Sequence, residues 1–249
     1  MAPNDLGAPV LRIKTVVPCR IVERVNRFVV RVQWEGREHR AWINNTGRLE
    51  EFLIGGKDAF CVPYDSPGKT DCRLFAFADR GLGTLTDTLW QMGGFEQAIG
   101  MGLIPWLGGC TVLRRNARLG DSLIDYLLAS PDGHVYLEVK SAALRQGSLA
   151  SYPDCPSARG RKHVRELHAL VESGGKGVIV FVAALPAVEG FAPNWSADPD
   201  LCQQLVDANR AGVQLRSIGM QYNPEDSCVY LYDPDLKVAL QALAPHPDL

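Results

Sequence analysis

Nine consecutive residues, GVIVFVAAL at 177–185, contain no charged or strongly polar side chain. A run this short with β-branched residues is a strand buried on both faces, because alternating side chains would otherwise put half of it in water. Helical periodicity precedes it at about 158–173 and follows it at about 199–211, where Gly212 stops the helix before a strand at 213–219. A doubly buried strand between two helices implies a mixed sheet with helices packed on it. The longest apolar stretch, 178–185, has fewer than half the residues needed to cross a bilayer, so no membrane partner is expected.

The first third of the chain reads differently. The pattern is strand-like from Cys19 to Ala78, with runs at 29–34, 38–43, 58–64 and 72–78 after the first strand, turn signals at Glu35-Gly36 and Pro67-Gly68, and a short helix expected near 47–53. Three strands, a helix and two more strands is the order of a small OB-like barrel, a scaffold often used for nucleic acids. The Gly-rich stretch at 80–88 reads as a linker, after which α and β patterns alternate, beginning with a helix at 95–102 and a strand near 110–118. The expected organisation is therefore an OB-like domain at 1–83 and an α/β domain at 84–249.

The clearest hairpin signal is SLIDYLLASPDGHVYLEVK at 122–140, with Ser130-Pro131-Asp132-Gly133 as the turn. Two registers are open: with the loop centred on Pro131-Asp132, Asp125 lies opposite Glu138, and with it centred on Asp132-Gly133, Asp125 lies opposite Lys140. Either way Asp125, Glu138 and Lys140 share one face, and Ile124, Tyr126, Leu128, Leu137 and Val139 make the other an apolar set. Two carboxylates and an ammonium this close are costly unless they bind something. Mg²⁺ or Mn²⁺ held by Asp125, Glu138 and the Val139 carbonyl relieves the conflict, and Lys140 then serves the attacking water. An ordinary cross-strand ion pair would give the same letters. A helix, three strands containing D-x12-E-x-K, then helix and strand is also the order of the PD-(D/E)-x-K restriction-endonuclease-like core.

Charge locates the expected partner. The net charge of −2 argues for no polyanion by itself, but nine Lys or Arg face three acids between Arg12 and Arg48. The helix after the hairpin, SARGRKHVREL, takes Ser157 as its N-cap and puts Arg161, Lys162 and Arg165 on its outer face. His163 is expected as a hydrogen-bonding neighbour of the site, and Glu96 as a solvated helix acid. The seven cysteines include no C-x-x-C pair, so neither a disulfide framework nor a zinc ribbon is expected. The start of the chain lacks a basic segment followed by an apolar block, which gives a cytoplasmic expectation.

From about Arg20 to Gln221 the chain resembles the sugar fermentation stimulation protein A (SfsA) family. The resemblance rests on RVNRF at 24–28, NNTG at 44–47, GLIPWL at 102–107, SLIDY at 122–126 and YLEVKS at 136–141. It continues through YPD and RG-x-KH-x-REL at 152–167, F-x-P with Asp198 after it, and A-x3-GV at 208–213. It implies an N-terminal OB-like domain, a nuclease-like second domain, and DNA binding with nuclease activity. Carried over residue by residue, it implies Asp125 and Glu138 as metal ligands and Lys140 as the catalytic lysine. Arg24, Arg27, Asn45 and Arg48 on the barrel, with Arg159, Arg161, Lys162 and Arg165 on the helix, are the expected contacts to DNA or RNA. The sequence departs from the family pattern at Asp87, Met92, Trp106 and Leu123, where Asn, Asn, Glu and Arg are usual. The expected function is a metal-dependent nuclease; the alternative is a non-catalytic DNA-binding protein on the same fold.

Overall fold

The computed structural model describes residues 6–66 and 68–241, so the turn signal at Pro67 lies outside the described residues. After β1 (Ala8–Arg12) come β2 (Val17–Asn26), β3 (Val29–Trp34), β4 (Arg37–Trp42), β5 (Asp58–Pro63) and β6 (Cys72–Asp79). Antiparallel ladders join β2 to β3, β3 to β4, β2 to β5 and β5 to β6. A short parallel pairing, Ala41↔Cys72 and Trp42↔Arg73, closes them into a five-stranded barrel. Ile21, Val30, Val32, Ala41, Cys61 and Leu74 fill its interior, as the alternation demands.

Two expectations about this half are corrected. No helix forms near 47–53: Leu49 is in the left-handed region, and only Phe52 and Leu53 N–H return to the Leu49 carbonyl. Leu49 and Phe52 are instead buried with the barrel core. The stretch at 80–88 is no linker either. Arg80 and Gly81, both at positive φ, make a tight turn into β7 (Leu82–Leu85), every residue of which is buried. β7 pairs with β6 and meets β15 (Gln214–Asn223) at Gly83↔Tyr222, so it welds the barrel to the second sheet. Glycine is required there, since a Cβ on Gly83 would sit 2.8 Å from the Tyr222 ring.

The rest of the large sheet runs β7, β15, β13 (Gly177–Ala183), β10 (Gly133–Ser141), β9 (Ser122–Ser130) and β8 (Thr111–Leu119). β10, β13 and β15 are mutually parallel, whereas β9 and β8 are antiparallel additions at the edge. β16 (Cys228–Asp233) lies against β15, and β1 pairs with β16. The first strand of the chain thus belongs to the α/β layer, although sequence order groups it with the barrel. β11 (Leu144–Gln146), β12 (Leu149–Tyr152), β14 (Gly190–Pro193) and β17 (Lys237–Val238) form a separate small sheet.

The helices cover both faces. α1 spans Thr88–Gly100, seven residues earlier than the expected start, because Asp87 caps it by accepting from the Trp90 N–H at 3.0 Å. α2 (Ala158–Glu172) and α3 (Pro199–Ala211) match their expected spans, and Gly212 at φ 111 ends α3. Within β13, Ile179, Phe181 and Ala183 join the core shared with α2, α3 and the barrel, while Val178, Val180 and Val182 pack on the α1 side. All seven cysteines are free thiols, four of them buried. No helix among the described residues is long and apolar enough to cross a membrane.

Candidate active site in the cleft between barrel and sheet

β9 and β10 pair from Gly133↔Ser130 to Leu137↔Tyr126, which selects the register that sets Asp125 opposite Glu138. At that pair the two strands part. The N–H groups freed there need acceptors, and the two carboxylates provide them. The Val139 N–H donates to Asp125 Oδ2 at 2.8 Å, and the Asp125 N–H donates to Glu138 Oε2 at 3.2 Å. Both side chains are therefore held by the backbone of the opposite strand, a more rigid mount than rotamer preference alone.

Glu138 is 2% exposed. Its Oε1 accepts from Lys140 Nζ at 2.6 Å and lies 2.5 Å from His163 Nδ1, delivered by α2 as expected. Burial alone would raise the Glu138 carboxyl, but Lys140 and His163 outweigh it and hold the carboxyl below its ordinary value. Burial likewise opposes the Lys140 charge, and Glu138 reverses this so that the ammonium is retained above its ordinary value. For Asp125 the Val139 N–H, Lys140 and His163 also favour the charge but do not outweigh the opposing causes. Burial first, and the Glu138 charge second, push it up to about 6. No cationic side chain among the described residues reaches ion-pair distance of Asp125.

Asp125, Glu138 and Lys140 line a cleft of about 730 Å³ between the barrel and the α/β layer. Arg27, Asn45 and Arg48 from the barrel line it, as does Arg159 from α2. Of these, Arg27, Arg48 and Arg159 are exposed. Asn45 is held by its own contacts, donating to the Thr86 carbonyl and accepting from the Gly47 N–H.

Three expected phosphate contacts have other duties. Arg24 spends its guanidinium on the carbonyls of Asn26, Arg27, Gly47 and Arg48 at 2.7–3.2 Å, so it fixes the loops that present Arg27 and Arg48. Arg161 is bound to both oxygens of Asp198, at 2.7 and 2.8 Å. Lys162 donates to the Asp121 carbonyl. Arg165 remains exposed on α2. Glu96 is engaged by the Tyr126 hydroxyl and by Arg115 and does not line the cleft.

The residues that sequence reasoning missed are those joining α1 to the site. Gln91 is buried and donates to the Leu85 carbonyl and to Ser141 Oγ, one residue past Lys140. Asp87 accepts two bonds from Arg73 at 2.5 Å and one from Asn44 at 3.1 Å, and Arg73 lies between the Trp42 and Trp90 rings. An acid at 87 is thus matched by a barrel cation, and only the capping position of Asp87 was a readable signal. Trp106 donates to the Pro234 carbonyl and carries Arg216 over its ring, outside the cleft, whereas Met92 lines it. Leu123 is exposed and paired across the ladder with Arg118.

Residues 22–85 match the SfsA N-terminal OB domain and residues 91–226 the sugar fermentation stimulation protein RE domain. A sugar fermentation stimulation protein homolog of Pyrococcus furiosus is 41% identical over 220 residues, covering 88% of this chain and 95% of its own. One from Archaeoglobus fulgidus is 46% identical over 228 residues, covering 92% and 98%. The solved structure of Pyrococcus furiosus SfsA in complex with Ca²⁺ superimposes with a TM-score of 0.89 at 39% identity, over 94% of this chain and all of that one.

Proposed function

We propose, from the premise that this chain belongs to the sugar fermentation stimulation protein (SfsA) family, that it is a divalent-cation-dependent nuclease of the PD-(D/E)-x-K type. One observation carries the reading. Where β9 and β10 part, Asp125, Glu138 and Lys140 converge on the floor of a cleft whose rim holds exposed arginines from both halves of the molecule.

The donor set suits a hard cation such as Mg²⁺ or Mn²⁺: two carboxylates, and a carbonyl at Val139 between Glu138 and Lys140. Asp125, raised by burial and by its acidic neighbour, is the group such an ion would relieve. The Pyrococcus furiosus relative was solved with Ca²⁺, an ion of the same oxygen-seeking class. A bound cation would supply charge neutralisation at the scissile phosphate and acidify a water. The chain's own contributions are separable from that. Arg27, Arg48 and Arg159 bind backbone phosphates and set the strand over the floor. Lys140, immobilised on Glu138, aligns the attacking water, and His163 holds the Glu138 carboxylate against rotation.

The test is incubation of purified protein with end-labelled single- and double-stranded DNA and RNA in Mg²⁺, Mn²⁺ or EDTA. Cleavage is expected only with a cation, falling by about two orders of magnitude in Glu138→Gln and Lys140→Ala, the scale of one lost electrostatic stabiliser. Equal residual cleavage in parent and variants would assign the activity to a contaminant. A second reading, a binding protein without catalysis, is favoured by one feature: Lys140, His163 and the Asp125 N–H already occupy both Glu138 oxygens. Retention of nucleic acid with no cleavage in either cation would select it.

A further inference from the structure

Among the described residues, Phe28 is the one Phe, Tyr or Trp side chain left exposed, at 49%. A ring in water forgoes the burial that the other aromatic side chains gain. Its position is set by the turn between β2 and β3. Asn26 pairs with Val29, so Arg27 and Phe28 are the two residues of that turn. Two-residue hairpin turns commonly place Gly or Asn at positive φ, whereas neither Arg27 nor Phe28 is at positive φ. Other contacts brace the turn instead. Asn26 Oδ1 accepts the Phe28 N–H at 2.9 Å, and the Phe28 carbonyl accepts the Ile43 N–H at 3.0 Å. Both polar backbone groups of Phe28 are therefore satisfied, and the ring is presented from a fixed mount.

Arg24 ties this mount to the cleft. Its one guanidinium donates to the carbonyls of Asn26 and Arg27 in the turn, at 3.2 and 3.0 Å, and to those of Gly47 and Arg48, at 2.7 and 2.8 Å. Arg27, Gly47 and Arg48 all line the cleft. The Arg27 guanidinium carbon also lies 5.8 Å from the centroid of the Phe28 ring, within cation–π range. An exposed aromatic ring is thus fastened beside the exposed arginines of the cleft rim.

We infer that Phe28 is a stacking platform for an unpaired nucleobase, so that the cleft takes nucleic acid with a single-stranded stretch. The inference rests on the nucleic-acid reading above and names its substrate class. Arg27 and Arg48 hold backbone phosphates while Phe28 holds a base of the same strand, the combination of charge and aromatic surface by which single strands are bound whatever their sequence. An unbroken duplex cannot use the ring, since its bases are stacked on one another and only their edges reach the grooves. The charge around the ring favours a polyanion over an apolar partner surface. Because the turn is braced before the strand arrives, little ordering entropy is lost on binding.

The experiment follows the fluorescence anisotropy of a labelled single-stranded DNA oligonucleotide titrated with protein in EDTA, so that cleavage plays no part, with relaxed circular duplex DNA as unlabelled competitor. Phe28→Ala is expected to weaken single-strand binding about tenfold, the scale of one lost aromatic stack. The slope of log affinity against log salt should stay that of the parent, since no phosphate contact is removed. Phe28→Trp should bind at least as tightly as the parent, and affinity for the duplex should be the same in all three proteins. Replacing the strand by an abasic one of the same length should cost the parent about tenfold and cost Phe28→Ala little. A Phe28→Ala protein that binds the single strand as the parent does, or a parent indifferent to loss of the bases, overturns the platform and leaves the phosphate contacts standing. Equal losses on single strand and duplex overturn it as well, because the ring would then only support the turn. A parent that binds neither nucleic acid at any salt overturns the nucleic-acid reading itself.

Discussion

Asp125→Asn should make the cation-free protein more stable. Raising a carboxyl from its ordinary 3.8 to about 6 costs the folded state about 3 kcal/mol wherever the group is ionised, at about 1.4 kcal/mol per pH unit. The folded protein binds this proton more tightly than the unfolded chain does. The penalty is therefore complete above about pH 6 and vanishes as pH falls below the ordinary value. Asparagine removes it while keeping an oxygen for the Val139 N–H, which donates to Asp125 at 2.8 Å. The charge assistance of that bond is already contained in the net shift. The expected gain is about 3 kcal/mol, or a rise in Tm of about 6–12 °C for a chain of this size. Thermal melts of parent and variant in EDTA at pH 7.5 and pH 4.5 measure it, with the difference shrinking at the lower pH. Added Mg²⁺ or Ca²⁺ should raise the parent's Tm and leave the variant's nearly unmoved. A variant that melts at or below the parent in EDTA at pH 7.5 would show that Asp125 carries no uncompensated charge, and the motive for a cation there would go with it.

Three further outcomes follow from the contacts. Arg161→Ala leaves Asp198, whose side chain is 1% exposed, without its cation. It should cost about 2 kcal/mol in chemical denaturation while leaving the salt slope of oligonucleotide binding unchanged; a reduced slope would return Arg161 to the phosphate contacts. Burial opposes the Asp198 charge, but the Ser157 and Leu201 N–H groups and Arg161 outweigh it and hold the carboxyl below its ordinary range. Its stabilisation is therefore present at neutral pH and lost in acid, and acid unfolding followed by circular dichroism should begin at higher pH in Arg161→Ala than in the parent. Asp87→Ala removes the α1 cap and strands Arg73 between two tryptophans, so a loss of about 3 kcal/mol is expected, with Asp87→Asn milder because it keeps the cap. Gly83→Ala drives a methyl group into the Tyr222 ring and should cost about 1–3 kcal/mol; a melt within 1 °C of the parent would mean that β7 and β15 shift apart freely.

Much of the active site was legible because strand alternation is a local property. Whichever register the hairpin took, Asp125, Glu138 and Lys140 had to share a face, and the Ser-Pro-Asp-Gly turn left only two registers to choose between. The doubly buried strand at 177–185 and the two helices beside it were legible for the same reason, since each pattern is complete within its own segment. Gln91 and Arg73 were illegible because their partners stand 50 and 14 residues away, and nothing near a glutamine or an arginine in the sequence says which carbonyl or carboxylate it will meet.

The apparent errors were of that long-range kind. Gly83 read as linker because glycine is usually the residue of loose connections, yet here it is glycine for want of room beside Tyr222. Arg24 and Arg161 read as phosphate contacts because charge alone does not record that loop carbonyls and Asp198 would reach them first. The sequence by itself determined the doubly buried strand, the two helices beside it and the acidic triad, which follow from periodicities of two and 3.6 residues; Ile124, expected on one face with Tyr126, packs in the opposite core. Only the tertiary structure decided the pairing of β1 with β16, the weld through β7, the parting of β9 from β10, and which arginines stayed exposed on the cleft. Each of these depends on distances between residues far apart in the chain, which no local pattern encodes.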